Sequence, residues 1–420
     1  MQNTRDFALA CDQNDTLNYL RKEFIFPQFK GRDVLYFTGN SLGLQPKVSQ
    51  SYVDEVMSAW GELAVEGHFN GDRPWWEYHE KLAPTLSKIM GCHQEELTVM
   101  NTLSVNLHFL LVSFFRPEGA KTKILCEQKA FPSDKYIMDS QLRFRGLNPE
   151  DELIQVPKRE DGLYHTEDFI QAIEHNASEL ALVFLGGVNY YNGQVFDIQK
   201  ITEVAQKNNV MVGWDLAHAA GNIELALHHW GVDFAAWCSY KYLNAGPGNA
   251  SGVFIHKRHL NDKDIHRFEG WWGNKKETRF KMTDRFDPMP TADAWQVSNA
   301  PILSLAPFLA SLTLFEKVGM SALVEKRDQL TGYLEFVLKD IAKELDLNFE
   351  IITPLQRGAQ LSIYLHGQNK SIFEYLTSNG CIPDWREPNV IRMAPVPMYN
   401  SFEDIYNFGQ LLKQAVAYHS

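Results

Sequence analysis

The sequence predicts an α/β fold with a mostly parallel central sheet in a large domain and a smaller α+β domain after it. Between about residues 95 and 255, short apolar runs alternate with segments of helical period, which is typical of βαβ units. Beyond residue 300 the pattern changes to two long amphipathic helices followed by short strands. The length of 420 residues is also more than one hydrophobic core usually organises, so two domains are expected.

The strands of the large domain are predicted from short apolar runs bounded by turn-forming residues. They fall at residues 96–100, 123–126, 181–185, 210–214 and 233–238. Between the third and fourth of these strands, apolar residues recur at helical spacing, and Asp197 stands where the N-cap of a helix belongs. This segment predicts the crossover helix that joins two parallel strands.

The domain limits follow from the change of pattern along the chain. Residues 46–300 are assigned to the large domain and residues 301–420 to the small C-terminal domain. Residues 1–45, helical and then extended, are expected to pack with the small domain. The small domain should contain helices at 303–318 and 321–345, strands at 348–352 and 359–365, and a closing helix after Ser401.

Charge and cysteine content narrow the classes of partner. The net charge of −12 opposes binding to nucleic acid or to an anionic membrane. The five cysteines are scattered and lack metal-ligand spacing, so no metal is expected and a reducing, cytoplasmic location fits best. The N-terminus shows no secretory signal, and the longest apolar run, around residues 107–115, is too short to span a bilayer.

Two polar residues at predicted strand ends carry the chemistry. Asp215 ends a strand and is followed by His218; ligands bind at this edge of parallel sheets, although a helix N-cap explains the aspartate equally well. Lys241 follows the next strand between Tyr240 and Tyr242, where a snorkelling structural lysine is the alternative. A lysine that forms an imine and a carboxylate that keeps a pyridine nitrogen protonated are together what pyridoxal phosphate requires.

A phosphate anchor is predicted where the strand at 96–100 leads into an amphipathic helix. In N-T-L-S-V-N-L-H at 101–108, backbone N–H groups and the hydroxyls of Thr102 and Ser104 offer an anion site at the helix N-terminus. Simple capping by Asn101 or Thr102 is the alternative. Phe131, after the next strand, either stacks on the cofactor ring or belongs to the core.

Six motifs spread along the chain are specific in combination. They are F-T-G-N-S-L-G-L-Q-P at 37–46, F-P-S-D at 131–134, D-L-A-H at 215–218, S-Y-K-Y-L-N-A-G at 239–246, G-W-W-G at 270–273 and R-M-A-P-V-P-M-Y-N-S-F at 392–402. With these motifs the chain resembles, over essentially its whole length, the kynureninases, which are fold-type-I pyridoxal-phosphate enzymes related to class V aminotransferases. D-L-A-H and the lysine alone indicate only the superfamily.

The resemblance implies a role for each matching residue. Lys241 would form the imine and act as base, Asp215 would pair with the pyridine nitrogen, and Tyr240 would contact the phosphate and take part in proton transfer. The cofactor-binding set would be Leu103, Ser104, Phe131, Pro132, Ser133, Asp134, Asp215, His218, Tyr240, Lys241, Trp271 and Asn299. The substrate-binding set would be Ser41, His68, Trp272, Asn299 and Arg392, with Arg392 as the carboxylate clamp; a surface ion pair is the alternative for the arginine, and an ordinary loop histidine for His68.

The reaction implied is hydrolysis of L-kynurenine, or of 3-hydroxy-L-kynurenine, to anthranilate or 3-hydroxyanthranilate and L-alanine. It belongs to the kynurenine pathway of tryptophan degradation and NAD biosynthesis. The resemblance also implies a homodimer whose cofactor sites are completed across the interface by Trp271 and Asn299. The alternatives are another class V enzyme, either an aminotransferase or a cysteine desulfurase, and a non-catalytic pyridoxal-phosphate-binding homologue. One departure, Gly186-Gly187 where relatives often carry a small hydroxyl residue, leaves a cofactor contact open.

Overall fold

The large sheet forms the centre of the molecule in a computed structural model that describes residues 1–367 and 370–419. Its strands, labelled in chain order, lie in the spatial order β1-β7-β6-β5-β4-β2-β3. Strand β7 runs antiparallel to both of its neighbours, and the other neighbouring pairs are parallel, which confirms the mostly parallel sheet. The bounds are Leu97–Met100 (β1), Lys123–Glu127 (β2), Leu153–Val156 (β3), Leu180–Gly186 (β4), Met211–Asp215 (β5), Phe234–Trp237 (β6) and Ser251–Ile255 (β7).

Both faces of this sheet are covered, and the two faces belong to different clusters of the core. Along β4, Leu182 and Phe184 pack with helices Leu103–Phe114 and Pro132–Phe144. The intervening Val183 joins the larger cluster on the other face. Alternate side chains of a strand point to opposite faces, so a sheet buried on both sides needs a continuous apolar run, as the sequence has here.

The predicted crossover helix between β4 and β5 is confirmed as Ile198–Lys207. Asp197 caps it, because its side-chain carboxylate accepts a hydrogen bond from the backbone N–H of Lys200 at 2.9 Å. The buried indole of Trp214 on β5 donates to the hydroxyl of Thr202 in the same helix at 3.2 Å. The helix is therefore fastened to the sheet by packing and by one buried hydrogen bond.

Two strands of the large sheet were not predicted. Strand β3 lies at the edge of the sheet and follows directly on the short helix Pro149–Glu152, so its apolar run is short and only partly buried. Strand β7 contains Gly252, which weakens a strand signal. A Cβ at Gly252 would lie 2.2 Å from ring atoms of Trp237, so the glycine is required by close packing against β6.

The small domain is built on a second, antiparallel sheet. Its strands are Phe349–Ile351 (β8), Leu361–Leu365 (β9), Asp384–Arg386 (β10) and Val390–Met393 (β11), in the order β8-β9-β11-β10. The predicted helices Ile302–Val318 and Met320–Leu345, the strands at 348–352 and 359–365, and the closing helix, Phe402–His419, are confirmed. The hairpin of β10 and β11 was not predicted.

The N-terminal segment packs against the small domain. Helix Arg5–Asn14 packs on Phe402–His419, with Ala8 in the small-domain core, and Leu35–Tyr36 pairs in parallel with Cys381–Ile382. Helix Ile302–Val318, however, packs mainly on Ser49–Leu63 and contributes to the larger core cluster. The exact limits of the domains stay a prediction.

The remaining elements complete the described chain. Among the described residues, no single helix has the length and apolar character to cross a membrane; only the pair Ile302–Val318 and Met320–Leu345, bent by 85°, has them together. The cysteines are all free thiols. Further helices are Ala83–Met90, Thr166–Asn176, Lys257–Leu260, Lys276–Arg279 and Ser371–Ser378; 3₁₀ turns are Asn18–Glu23, Ala64–His68, Trp75–Leu82, Gln94–Glu96, Trp271–Gly273 and Ala292–Trp295; further short strands are Phe24–Ile25, Gln28–Phe29, Arg32–Asp33 and Gln45–Pro46.

Candidate active site

A cavity of about 370 Å³ opens at the carboxyl edge of the large sheet. The last residues of β2, β4 and β5, which are Glu127, Gly186 and Asp215, all line it, as expected for a ligand site in a parallel sheet. The rest of the wall comes from the loops after these strands, from two helix N-termini and from the small domain. The other lining residues are Asn40, Ser41, Thr102, Leu103, Ser104, Phe131, Ser133, Asp134, Val188, Tyr190, Ala217, His218, Tyr240, Lys241, Arg386 and Arg392.

Asp215 and Lys241 line the same cavity, as the sequence predicted for the two ends of one heterocycle. Asp215 is followed by a turn, with its carboxylate accepting from the N–H of Ala217 at 2.7 Å, and no helix starts there. The N-cap explanation of this aspartate therefore does not hold. Burial raises the pKa of Asp215, and the charge of Lys241 opposes that rise.

A second carboxyl group, that of Asp134, is hydrogen-bonded to Asp215. Burial and the neighbouring Asp215 carboxylate raise the pKa of Asp134 well above its usual range. Of the two groups, Asp134 has the stronger tendency to hold a proton, because Asp215 raises its pKa, whereas Lys241 and the bond from Asp134 both lower that of Asp215. This arrangement places two coupled carboxyl groups at the sheet edge.

Two helix N-termini meet at another wall of the cavity. Thr102 and Phe131 are the N-cap residues of Leu103–Phe114 and Pro132–Phe144, and neither side chain makes a capping hydrogen bond. The hydroxyls of Ser104 and Ser133, one on each helix, lie 2.9 Å apart. Two uncapped helix N-termini and two hydroxyls make an anion site, so capping by Thr102 does not account for this segment.

Aromatic and imidazole side chains form the walls near Lys241. The ring of Phe131 is 41% exposed and meets Tyr190 edge-on at 5.1 Å, so it is a wall residue and not part of the core. His218 is buried, and its Nδ1 has no hydrogen-bond partner among the residues that the structure describes. Burial, followed by the charges of Lys241 and Arg392, lowers the pKa of His218 well below its usual range, so this imidazole is neutral. Burial also raises the pKa of Tyr240, which keeps its proton.

The turn in the motif at 37–46 is hydrogen-bonded directly to the segment that contains Lys241. The N–H of Gly43 donates to the carbonyl oxygen of Tyr240 at 2.8 Å. A Cβ at Gly43 would lie 2.2 Å from Asn244 Oδ1 and 2.4 Å from the carbonyl oxygen of Lys241, so only glycine allows this approach. The turn places Asn40 and Ser41 at the cavity wall.

Arg392 is the deepest cation of the site and is 1% exposed. It lies directly opposite Asp384 across β11 and β10, and its guanidinium donates to the Asp384 carboxylate and to the carbonyl oxygen of Tyr190. The same Asp384 oxygen accepts from the hydroxyl of Ser41 at 3.1 Å, and Arg392 Nε has no partner. Burial lowers the pKa of Arg392 to about 10, so the guanidinium stays charged and is not a surface ion pair.

Five predicted site residues do not line the cavity of the single chain. Pro132 is the first residue of its helix, directly behind the wall residue Phe131. Asn299 is exposed, and Trp271 is 43% exposed. His68 and Trp272 belong to an aromatic cluster, which we define as His68, Phe69, Trp75, Trp76, Trp271, Trp272 and Phe280.

Several residues that line the cavity or support its walls were not predicted from the sequence. Arg386 lies two residues after Asp384 on β10, and Tyr190 lies in the loop after β4. The sequence signal for Asp384 and Arg386 was D-W-R at 384–386, shortly before Arg392, because alternate residues of a strand lie on the same face of the sheet. Glu127 is a carboxylate that ends an apolar strand, which is the same signal that identified Asp215.

The glycine at 186 is explained by this same glutamate. A Cβ at Gly186 would lie 3.3 Å from Glu127 Oε1, tighter than an ordinary van der Waals contact. The carboxyl group of Glu127 thus occupies the space next to the end of β4, because Gly186 has no side chain to fill it. A polar group remains at this wall of the cavity.

The fold has close counterparts among solved structures. The cysteine desulfurase CsdA from Escherichia coli superimposes with a TM-score of 0.77 at 12% identity, over 95% of this chain and 98% of that one. A complex of the cystine C–S lyase C-DES with cysteine persulfide gives 0.75 at 18% identity, over 92% and 99% of the two chains. These matches show that the chain has the fold-type-I architecture of these two enzymes.

Sequence relatives identify the family. A family model described as the kynureninase C-terminal domain matches residues 323–412. A kynureninase of Flavobacterium johnsoniae is 59% identical and one of Xanthomonas oryzae pv. oryzae is 47% identical, each over 99% of both chains. The chain belongs to the kynureninase family.

Proposed function

We propose that this chain is a pyridoxal-phosphate-dependent hydrolase that converts L-kynurenine to anthranilate and L-alanine. The observation that carries the proposal is one cavity that holds Lys241, Asp215 and two uncapped helix N-termini. These three features match an aldehyde, a pyridine nitrogen and a phosphate respectively. The relatives that are 47–59% identical over nearly the full length are named kynureninases, which supports this substrate.

The residues present fit pyridoxal phosphate at each of its polar ends. Ser104, Ser133 and the backbone N–H groups of Leu103 and its neighbours would hold the phosphate, with Tyr240 beside them. Phe131 would stack on one face of the ring, and Ala217 lines the cavity near Asp215. The unpartnered Nδ1 of His218 is a buried polar atom that needs a ligand. When bound, the cofactor supplies an electron sink for the charge that develops on the substrate.

Side chains of the protein itself would stabilise charge and transfer protons during the reaction. Lys241 would supply the amine that holds the cofactor and would move the proton at the substrate's Cα. Asp215 would hold the pyridine nitrogen in its protonated form, and Asp134, which is hydrogen-bonded to Asp215, would keep it in place. Tyr240 keeps its hydroxyl proton and is suited to donate to the oxyanion that forms when water adds to the γ-carbonyl.

Arg392 and Ser41 would bind the α-carboxylate of the substrate. Arg392 is buried, charged and has a free Nε, which suits a bidentate contact. Arg386 adds a second guanidinium at the same wall, also with a free buried Nε. Asp384 bonds to Arg392, to Arg386 at 3.3 Å and to Ser41, and therefore fixes their positions.

The site for the aryl ring needs a second copy of the chain. His68, Trp272 and Asn299 suit an amino-substituted ring in type, yet they lie outside the single-chain cavity. Phe69, Trp271 and Phe280 are 55%, 43% and 58% exposed, so the aromatic cluster presents apolar surface. In a C₂ homodimer, we infer, Trp271 and Asn299 of each protomer complete the partner's cofactor site.

Substrate range and location follow from the same proposal. 3-Hydroxy-L-kynurenine differs from L-kynurenine by one hydroxyl, and aromatic pockets discriminate against such analogues only modestly, so the proposal extends to 3-hydroxy-L-kynurenine as a second substrate. The thiols of Cys92, Cys126 and Cys381 have pKa values raised by burial, and none of the described cysteines lines the cavity, which disfavours a desulfurase. Free thiols suit a cytoplasmic location.

The direct test is the release of fluorescent anthranilate from L-kynurenine by the purified holoenzyme. Lys241→Ala should reduce the rate by at least about a thousandfold, because it removes both the covalent link and the base. Lys158→Ala, which changes a partly buried lysine that packs over Tyr164 outside the cavity, is the matched control and should retain activity. Near-normal rates in the Lys241 variant would contradict the mechanism.

Two further assays separate the alternatives. Conversion of L-alanine and glyoxylate to pyruvate and glycine at a rate above that of kynurenine cleavage would favour an aminotransferase. A protein that binds pyridoxal phosphate, seen as an imine absorbance that Lys241→Ala abolishes, yet releases no anthranilate would be a non-catalytic homologue.

A further inference from the structure

Glu127 is a buried carboxyl group in the cavity wall that the proposed mechanism does not use. It ends β2, is 4% exposed, and lines the cavity together with Asp215 and Asp134. Its Oε2 is buried and has no hydrogen-bond partner among the described residues. Buried polar groups are nearly always paired, so this oxygen needs a hydrogen-bond partner, and the cavity that Glu127 lines is where one can be bound.

The contacts of the other oxygen are weak. Glu127 Oε1 accepts from the N–H of Gly186 at 3.4 Å, near the outer limit for such a bond. Glu96, a second fully buried glutamate, shows the contrast: it accepts from His93 N at 2.9 Å, Lys257 N at 2.8 Å and His228 Nδ1 at 2.8 Å. Glu96 is therefore held as a carboxylate by the protein itself, whereas Glu127 is not.

The surroundings of Glu127 favour its neutral form. Asp215 from β5 and Asp134 from helix Pro132–Phe144 are both acidic, and Cys126, Tyr164 and Tyr190 are uncharged at neutral pH. The nearby cation, Lys241, acts on the two aspartates. Burial raises the pKa of Glu127 to about 7, and the charge of Asp215 adds to this rise. Hydrogen bonds from the N–H groups of Glu127 itself and of Gly186 oppose it.

We propose that Glu127 is a further cofactor-binding residue, which donates a hydrogen bond in its protonated form from Oε2 to a polar atom of the pyridoxal phosphate ring. The inference rests on the proposed cofactor of this site and deepens it. Gly186 is part of the same arrangement, because the absence of a side chain there leaves room for the carboxyl group at the strand end. A carboxylic acid that stays neutral is a donor, while its ionised form is only an acceptor.

Binding of the cofactor should then depend on the protonation of Glu127. Below a pH of about 7 the group is protonated and the donor is in place. Above that pH, cofactor binding must either forgo the hydrogen bond or take up a proton. The affinity of the apoenzyme for pyridoxal phosphate should therefore fall as the pH rises through the pKa of Glu127.

The test compares the wild-type chain with Glu127→Gln, which is neutral at every pH and keeps an N–H donor in the same place. Apoenzyme is titrated with pyridoxal phosphate, and imine absorbance reports binding, across a pH series on both sides of the Glu127 pKa. The two proteins should bind equally on the acid side. On the alkaline side the wild-type affinity should be weaker by roughly tenfold, because one buried hydrogen bond is lost. Titration of Asp134, His218 and the cofactor itself is common to both proteins and cancels.

Two controls keep the comparison specific. Glu179→Gln alters a glutamate next to the amino end of β4, at the opposite edge of the sheet, and should follow the wild-type curve. Calorimetry of the wild-type chain in buffers of different ionisation enthalpy should show about half a proton more taken up near the Glu127 pKa than in Glu127→Gln, which is the uptake that a tenfold change in affinity implies. The proton uptake of the wild type near this pH can be measured even if a variant folds poorly.

Parallel affinity curves for the two proteins would overturn the inference, as would weaker binding by Glu127→Gln at every pH, since the group would then act as an anion. Either result leaves the cofactor assignment intact. A wild-type chain that forms no imine with pyridoxal phosphate at any pH would instead overturn the proposed function itself.

Discussion

The cavity at the sheet edge and the aromatic cluster around Trp272 are assembled in different ways. The cavity residues come from strand ends, helix N-termini, loops and the β10–β11 hairpin of one chain, and the deepest cation, Arg392, is paired with Asp384. The aromatic cluster holds Trp272 at 3% exposure but leaves Trp271 and Phe280 largely open. The difference teaches that one chain brings the charged groups of the cavity together by itself, whereas its aromatic cluster leaves apolar surface exposed.

The largest effect expected at the charged end is that of Asp215→Asn. The substitution keeps the shape but removes the buried anion, leaving the cation opposite it uncompensated. Breaking a buried charge pair costs about 3–5 kcal/mol, which corresponds to roughly 10²–10⁴-fold in rate. The measurement is kcat for anthranilate release, with pyridoxal phosphate content determined on the same sample. A variant that retains cofactor and near-normal kcat would break the assignment of Asp215 as the partner of the ring nitrogen.

Arg392→Lys should act on substrate binding more than on the chemical step. Lysine keeps the charge but loses the planar fork, and a charge-assisted hydrogen bond contributes about 1.5–3 kcal/mol, so KM should rise by roughly 10–100-fold. The matched control is Arg159→Lys, an exposed arginine whose Nε and guanidinium N–H groups both donate to Asp168 at 2.8 Å. The control should leave KM unchanged; equal effects from both variants would contradict the clamp.

The aromatic end can be tested by complementation between two inactive chains. Lys241→Ala and Trp271→Ala should each be impaired alone, but a mixed dimer would contain one site with both native residues. Random re-association should restore about a quarter of the wild-type activity, because half of the dimers are mixed and each has one intact site. No recovery, in a mixture shown by size and mass to contain mixed dimers, would place Trp271 in the site of its own chain.

The smallest effect is expected on the stability of the apoenzyme with Glu127→Gln. The folded-state pKa of Glu127 is about 7, above its ordinary value of 4.5. Below 4.5 the group is protonated in both states; between 4.5 and 7 only the unfolded chain loses the proton, so its contribution to folding stability falls as pH rises. Glutamine lacks this loss, so the variant should have the higher Tm at neutral pH, by a few degrees, and no advantage under acidic conditions. Thermal unfolding followed by circular dichroism at both pH values measures the difference.

Much of the fold was predicted correctly because apolar strand runs and helix caps are visible in short stretches of sequence. The strands that end in Glu127, Gly186 and Asp215 are continuous apolar runs, which buried parallel strands require, and Asp197 marks the start of the crossover helix. The antiparallel strands β7, β10 and β11 escaped because their pairing depends on distant segments. Gly252 in β7, for example, makes sense only beside the ring of Trp237.

Part of the candidate site was readable for the same reason. Asp215 and Lys241 follow strand ends, and the carboxyl ends of parallel strands share one edge, so their meeting follows from topology. The partnership of Asp134 with Asp215 is different in kind. The protonation of Asp134 depends on burial and on a neighbouring charge, and neither can be read from the sequence alone.

By itself, the sequence determined the parallel sheet, the lysine and aspartate at its edge, and the motifs that mark the family. Only the tertiary structure decided which oxygen atoms are paired. Glu96 and Glu127 are both buried glutamates next to apolar strands, yet Glu96 accepts from three donors, whereas Glu127 lines the cavity and its Oε2 has no hydrogen-bond partner among the described residues. The reason is that charge state depends on solvation and on neighbours brought together from distant parts of the chain, whereas secondary structure depends largely on local order.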